Sequence, residues 1–408
     1  MSSVQQPLVR LTTEASLAHR LVLSTLSGKP VHISQIRPSS LTNPGLAPHE
    51  VSFLRLLEAV TNGSEIVISS TSTILLYRPG LIEGSAPGSG AAGGIIKHVV
   101  PADCTRGISY FLIPLCLLAP FAKTTMNVMF TGPGVITSAT TSKDNSAGDI
   151  SADSVRTAIL PLYARFGIVN NIELRILQRS NPSVGGRGGA GEVQLLFGHQ
   201  VRLPKTIHFL NPGRVKRIRG VAYCTGVSAS NNARMIEEAR GILNPMTADT
   251  YIFSDVSSAP HLPSQDRSNP QQRRKTGIGF GLSLVAESST GSLYSADRAS
   301  PPSGGMAPEE IGRQCAHQLL ESVSMGGTVS LTAAPTVITL MAMGSEDVGR
   351  IQLGKRVIGS EIIVGLARDL KVFGASEWGL RGIETNLEEE VVASIVGKGV
   401  GNVGRKIA

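Results

Sequence analysis

Apolar positions along this chain recur with two spacings, three to four residues in some stretches and two in others. In residues 47–60, Phe53, Leu54, Leu57 and Val60 share one helical face. Pro48 opens the first turn and Asn62-Gly63 supplies a stop, so the pattern predicts a helix there. Strands are predicted at 65–69 (EIVIS), 72–77 (STILLY), within 124–130 (TTMNVMF) and at 172–178 (IELRILQ). A helix is predicted from Ser151, an N-cap with Asp153 in the first turn, to Gly167, kinked at Pro161. The run 110–122 is apolar on every face but carries Pro114 and Pro120. At about 13 residues it is too short to span a bilayer and reads as a core helix. Helices at 308–325 and 361–373, an apolar segment at 333–343 and a strand at 377–384 complete the carboxy-terminal part.

A helix–strand–helix–strand–strand unit is thus used about three times. The stretch 204–303 departs from it, with strands at 213–226, 250–256 and 277–288 around an amphipathic helix at 230–243. The expected architecture is α/β (α+β): a body of about three such units at 1–203 and 304–408, with a smaller αβ domain inserted at 204–303. Polar, Pro-rich residues 257–276 and 297–308 are expected as flexible linkers, and glycine-rich 80–96 as a loop.

Composition narrows the function. The 408 residues carry 38 Lys+Arg against 30 Asp+Glu, a net charge of +8, which favours polyanionic partners such as RNA or an acidic protein surface. Aromatics are 4%, against a surface built from many stacked bases. Four scattered cysteines, with no Cys-x-x-Cys, read as buried thiols in a reducing compartment. The start MSSVQQPLVRLTTE has no apolar run, so neither a secretory leader nor membrane attachment is expected.

Six blocks occur in order: SGKPVHISQIRP (27–38), NPGLAPHEVSFLRLLE (43–58), RGISYFLIPLCLLAPFAK (106–123), GGRGGAGEVQL (185–195), RVKRIRGVAYCTGV (214–227) and GFGLSLVAES (279–288). Together they resemble the RNA 3′-terminal phosphate cyclase family, in particular its eukaryotic ribosome-biogenesis branch. The resemblance implies a body of three βαβαββ-type units with a small inserted αβ domain. In active members a histidine in a His-Leu-Ala-Asp-Gln stretch after a Gly-Gly pair attacks ATP and carries AMP. Here Gly326-Gly327 is followed by TVSLTAAPT, and Thr332 occupies that position. The family's Glu-Gly-Gly-Gly-Gln motif is replaced by Thr12-Thr13-Glu14-Ala15. Nothing near Thr332 in sequence could activate its hydroxyl as a base would. The expectation is a protein without cyclase activity and without a metal, nucleotide or other cofactor. By resemblance it acts in the nucleus and nucleolus, in early processing of the small-subunit rRNA precursor. Its implied partners are a Bms-type GTPase, the small-subunit processome with its small nucleolar RNP, and pre-rRNA.

Several clusters are candidates for contact with RNA or a partner. Gly185–Gly191 could cradle an anion through backbone N–H groups, with Arg187 adding charge. It is not a dinucleotide fingerprint, because EVQLLF after it reads as a strand. Strand alternation puts Arg217 and Arg219 on one face, at a spacing that suits successive phosphates. Arg267, Arg273, Arg274 and Lys275 form a basic run in a polar linker. Arg368-Asp369-x-Lys371 lies on the predicted helix 361–373 and is the alternative, an endonuclease site for one of the early cleavages. Asp144, Asp149 and Asp153 fit a loop and a helix N-terminus better than a two-metal site, and His317 and the other histidines lack metal-ligand spacing.

Overall fold

The computed structural model describes residues 7–40, 43–85, 94–141, 148–169, 171–183, 186, 188–198, 204–263, 273–375, 377–384 and 389–401. Its first unit runs β1 (Val9–Thr12), α1 (Leu17–Ser27), β2 (Val31–Ser34), α2 (Pro48–Val60), β3 (Glu65–Ile68) and β4 (Leu75–Arg78). The sheet order is β1-β2-β4-β3, with β1 and β2 parallel and the other pairings antiparallel. The second unit runs β5 (Ile96–Val99), α3 (Ser109–Leu118), β6 (Met126–Thr131), a helical stretch at 152–166, β7 (Ile172–Gln178) and β8 (Glu192–Phe197). Its order, β5-β6-β8-β7, is the same pattern with the same strand directions.

The third unit opens with β9 (His208–Phe209) and is then interrupted. The insert follows: β10 (Val215–Thr225), α4 (Ser230–Leu243), β11 (Thr250–Ser257), β12 (Gly279–Ser288), β13 (Leu293–Ala299) and α5 (Pro308–Ser324). The unit resumes with α6 (Ala334–Met343), β14 (Val348–Gly354), α7 (Glu361–Val372), β15 (Gly379–Glu384) and β16 (Glu389–Val396). Its order, β9-β14-β16-β15, repeats the pattern a third time, with β9 parallel to β14.

The first helix of each unit is a crossover between parallel strands. These helices, α1, α3 and α6, pack together at the centre of the body, and His19 of α1 bonds Thr339 of α6 at 3.0 Å. That is why α3 and α6 are apolar on nearly every face. One hydrophobic core runs through all three units. All four cysteines are buried free thiols.

The structure differs from four of these expectations. Helix α5 belongs to the insert and not to the body, because Ile311, Cys315, Ala316 and Leu319 bury against the insert's sheet in a second core. The insert also begins later than residue 204, since His208–Phe209 pairs with β14 of the body. The segment 151–167 is one helical turn capped by Ser151, then a wide turn at 155–159 and a tight turn at 160–166. Pro161 lacks the N–H that a continuous α-helix needs. The expected linkers are partly ordered: residues 297–299 complete β13, and His261–Pro263 pairs with Arg273–Lys275. Among the described residues, no helix is long and apolar enough to cross a membrane.

Candidate functional site

A cleft of about 850 Å³ opens between the second unit and the insert, with Asp149, Asp297, Arg298 and Thr332 in its lining. A second cleft of about 790 Å³ shares the loop 300–303 and Met306 with it and extends to Arg274 and Lys275. The two form one groove along the joint between body and insert.

Thr332 reaches the cleft from the turn after Gly327. Gly327 holds φ +78, and a Cβ there would lie 2.7 Å from the Gly354 nitrogen, so the turn needs glycine. Its N–H donates to Glu390 at 2.7 Å, and its carbonyl accepts the Tyr294 hydroxyl at 2.6 Å. These bonds pin the 328–333 turn to both body and insert. At its tip the Thr332 hydroxyl meets Ser330 at 3.0 Å and Ser295 at 3.3 Å. Both are neutral hydroxyls, which cannot take its proton.

The cleft's carboxylates are occupied too. Asp297 accepts the Ser151 N–H at 3.0 Å and the Ser151 hydroxyl at 2.7 Å. Burial raises its pKa, and hydrogen bonds from Ser151, Ser154 and Ser283 oppose that rise. Asp149 takes a two-pronged contact from Arg106, at 2.7 and 2.6 Å, plus the Gly107 N–H at 2.8 Å. Asp153 is 1% exposed and binds Arg179 and Arg156. Asp144 lies outside the described residues. Among the described residues, no group of three or more His, Cys, Asp or Glu could hold a metal ion.

Beneath the groove, Arg179 joins body to insert. Its guanidinium reaches Asp153 of the body at 2.6 Å and Asp255 of β11 at 2.5 Å, and stands over the Tyr223 ring at 5.0 Å. Burial disfavours its charge, but the two carboxylates outweigh that and raise its pKa above the ordinary arginine value. Sequence reasoning did not single out Arg179, because its partners lie far away along the chain.

Arg217 and Arg219 share one face of β10. Each already meets a carboxylate, Glu287 at 2.8 Å and Asp249 at 2.8 Å, on the neighbouring segments. Both arginines are half-exposed, so water screens these pairs. Arg187 and Arg267 lie outside the described residues. Gly188 and Gly189 press against backbone oxygens of Pro133 and Asn181, where a Cβ would come within 2.3 and 2.5 Å. These glycines serve close packing.

On α7, Arg368 and Lys371 face solvent and Asp369 faces inward. Asp369 accepts from Arg20 of α1 at 3.0 Å, and Arg20 also bonds the Thr12 and Thr13 carbonyls. Lys371 pairs with Glu377 at 2.5 Å. The three side chains do not converge on one point. Asp369→Ala is therefore expected to lower stability by about 2 kcal/mol, since Arg20 loses its carboxylate partner and keeps the Thr12 and Thr13 carbonyls. An unchanged urea-unfolding midpoint would refute this structural role.

Residues 12–366 match the RNA 3′-terminal phosphate cyclase family. The chain belongs to this family. It is 38% identical over 392 residues to the rRNA processing protein rcl1 of Schizosaccharomyces pombe, covering 96% of each chain. It is 38% identical over 402 residues to the RNA 3′-terminal phosphate cyclase-like protein of Homo sapiens, again 96% of each. Against the rRNA processing protein RCL1 of Saccharomyces cerevisiae the identity is 36% over 390 residues, 95% of each. In the cyclase-family resemblance the β1–α1 loop is the Gly-rich acidic motif. Here Thr13 and Ser16 keep left-handed backbones, φ 64 and φ 52, without glycine. Glu14 turns its carboxylate to Arg37, whose backbone N–H it accepts at 3.3 Å. Arg37 also pairs with buried Glu50. Thr332 thus presents a hydroxyl bonded to Ser295 and Ser330, and the β1–α1 loop presents a carboxylate turned to Arg37.

Proposed function

We propose that this chain is a non-cyclase processing factor for the small-subunit rRNA precursor. It acts by docking, and it works in the nucleolus within the small-subunit processome beside a Bms-type GTPase. The observation that carries the reading is the Thr332 site. A cyclase-family fold is kept whole, while the nucleophile position holds a hydroxyl whose partners are Ser295 and Ser330. The names and coverage of the rRNA processing relatives support the pathway. The net charge of +8 suits an RNA surface. Docking is put forward over endonuclease chemistry because Asp369 is engaged by Arg20.

RNA docking predicts a salt dependence. With about five phosphate contacts on single-stranded pre-rRNA, log affinity should fall against log salt with a slope near −3.5. Fluorescence anisotropy over a salt series reads it, and a flat response would sink the RNA part. Co-purification with the Bms-type GTPase tests the partner. Loss of association on charge reversal at Arg217 and Arg219 would assign the insert to the GTPase.

A further inference from the structure

The insert's sheet carries α4 and α5 on one face. Its other face is half covered by the body, through Asp255 on Arg179 and Asp297 on Ser151. The other half is open. Tyr251 and Phe253, 62% and 54% exposed, project there from the edge strand β11. They are the only aromatic side chains so exposed among the described residues, in a chain whose aromatics are 4%. Two residues apart on one strand, the rings stand about 7 Å from each other on the same side. Arg219 lies directly across from Tyr251 on β10, and Val221 across from Phe253. Arg217 follows one pleat further along.

Globular chains ordinarily bury rings of this size, because each carries a large apolar area. An open pair on a flat sheet, with guanidiniums beside it, offers two complementary surfaces. Ring faces take unstacked bases, and guanidiniums take the phosphates between them. The charge continues in the right direction. Beyond Ser257 the chain enters the hairpin His261–Pro263/Arg273–Lys275, where Arg274 and Lys275 are exposed. That hairpin borders the groove between insert and body.

We infer that Tyr251 and Phe253 form a stacking platform for two adjacent bases of single-stranded RNA, with Arg217 and Arg219 at its margin and Arg274 and Lys275 continuing the track. This deepens the RNA-docking reading above and rests on it. The rings rise from the sheet's face and not from its edge, which favours bases over an added protein strand. Glu287 and Asp249 hold the two arginines in place in the free protein, and exchange of these exposed pairs for phosphates leaves both acids in water.

The test uses the full chain, a fluorescein-labelled 12-nucleotide oligouridylate and an abasic strand of the same length. Each ring removed should weaken oligouridylate binding about tenfold, and Tyr251→Ala/Phe253→Ala about a hundredfold. Tyr251→Trp/Phe253→Trp should restore binding, and melting temperatures should match wild type because both rings are exposed. The abasic strand should bind wild type and the double alanine variant equally. Wild type that binds oligouridylate, with the double alanine variant unchanged, overturns the platform and leaves RNA docking standing. A double variant that keeps RNA but loses a protein partner overturns it too, and assigns the face to that partner. Wild type that binds neither strand in a salt-dependent way overturns the docking reading itself.

Discussion

Arg179→Ala is expected to cost about 3–5 kcal/mol of unfolding free energy, the range found when one member of a buried ion pair is removed. Arg179 is 6% exposed, and its side chain is shared between Asp153 of the body and Asp255 of the insert. The truncation leaves Asp153, 1% exposed, with Arg156 alone. It also frees Asp255 and removes the cation over the Tyr223 ring. Arg179→Lys keeps the charge but cannot bond both acids in one plane, so its loss should be intermediate. Urea unfolding gives the magnitude. Hydrogen exchange in 250–257 should rise in the alanine variant, because this strand is tied to the body through Asp255. Wild-type exchange there, or an unmoved midpoint, would show that other contacts hold the two parts together.

The second large effect is a loss of stability in acid. His19, His49 and His98 each have a pKa lowered from 6.5 to about 4, in each case first by burial. Arg55 adds to the shift at His98, whose ring bonds Ser52 at 2.9 Å and packs on Phe111 and Phe130. The folded state keeps these rings neutral and the unfolded state binds the protons. Their contribution is therefore complete above pH 6.5 and is lost as pH falls from 6.5 toward 4. For His98 the loss is about 3 kcal/mol on reaching pH 4. Buried Glu50 and Asp297, whose pKa values are raised, work in the opposite direction, so the effect is best read as a difference. The stability gap between wild type and His98→Gln should shrink by about 3 kcal/mol between pH 7 and pH 4. A gap independent of pH would mean that His98 has the same pKa in the folded and the unfolded state.

Local pattern carried much of this fold. Pro48–Val60, Ser230–Leu243 and Glu361–Val372 lie within a residue or two of the predicted helices, because an apolar stripe with a cap defines a helix without its neighbours. The inward turn of Asp369 follows from the same geometry: on a helix it points about 100° away from Arg368. Long-range pairing was beyond reach. The apolar face of α5 is evident in Ile311, Cys315 and Leu319, yet nothing local says which sheet it covers; the structure puts it on the insert's sheet, not in the body. Alternation put Arg217 and Arg219 together, but Glu287 and Asp249 come to them through strand register. The site around Thr332 needs Ser295 from another domain's strand, which no spacing announces. The family resemblance supplied Thr332, and the structure supplied what surrounds it.

The third sheet differs from the other two in the order of events needed to make it. In the first and second units the parallel pair joins Val9 to Val31 and Ile96 to Val128, so each sheet can close soon after its own strands leave the ribosome. His208 must wait for Arg350, which is synthesised only after the whole insert. Closing that long loop is slow, and earlier folding of the insert shortens it by bringing its own ends together. Nascent chains should therefore pass through a stage in which two sheets and the insert are native while β9 has no partner. During that interval the unfinished third unit is the part most open to a chaperone or to aggregation.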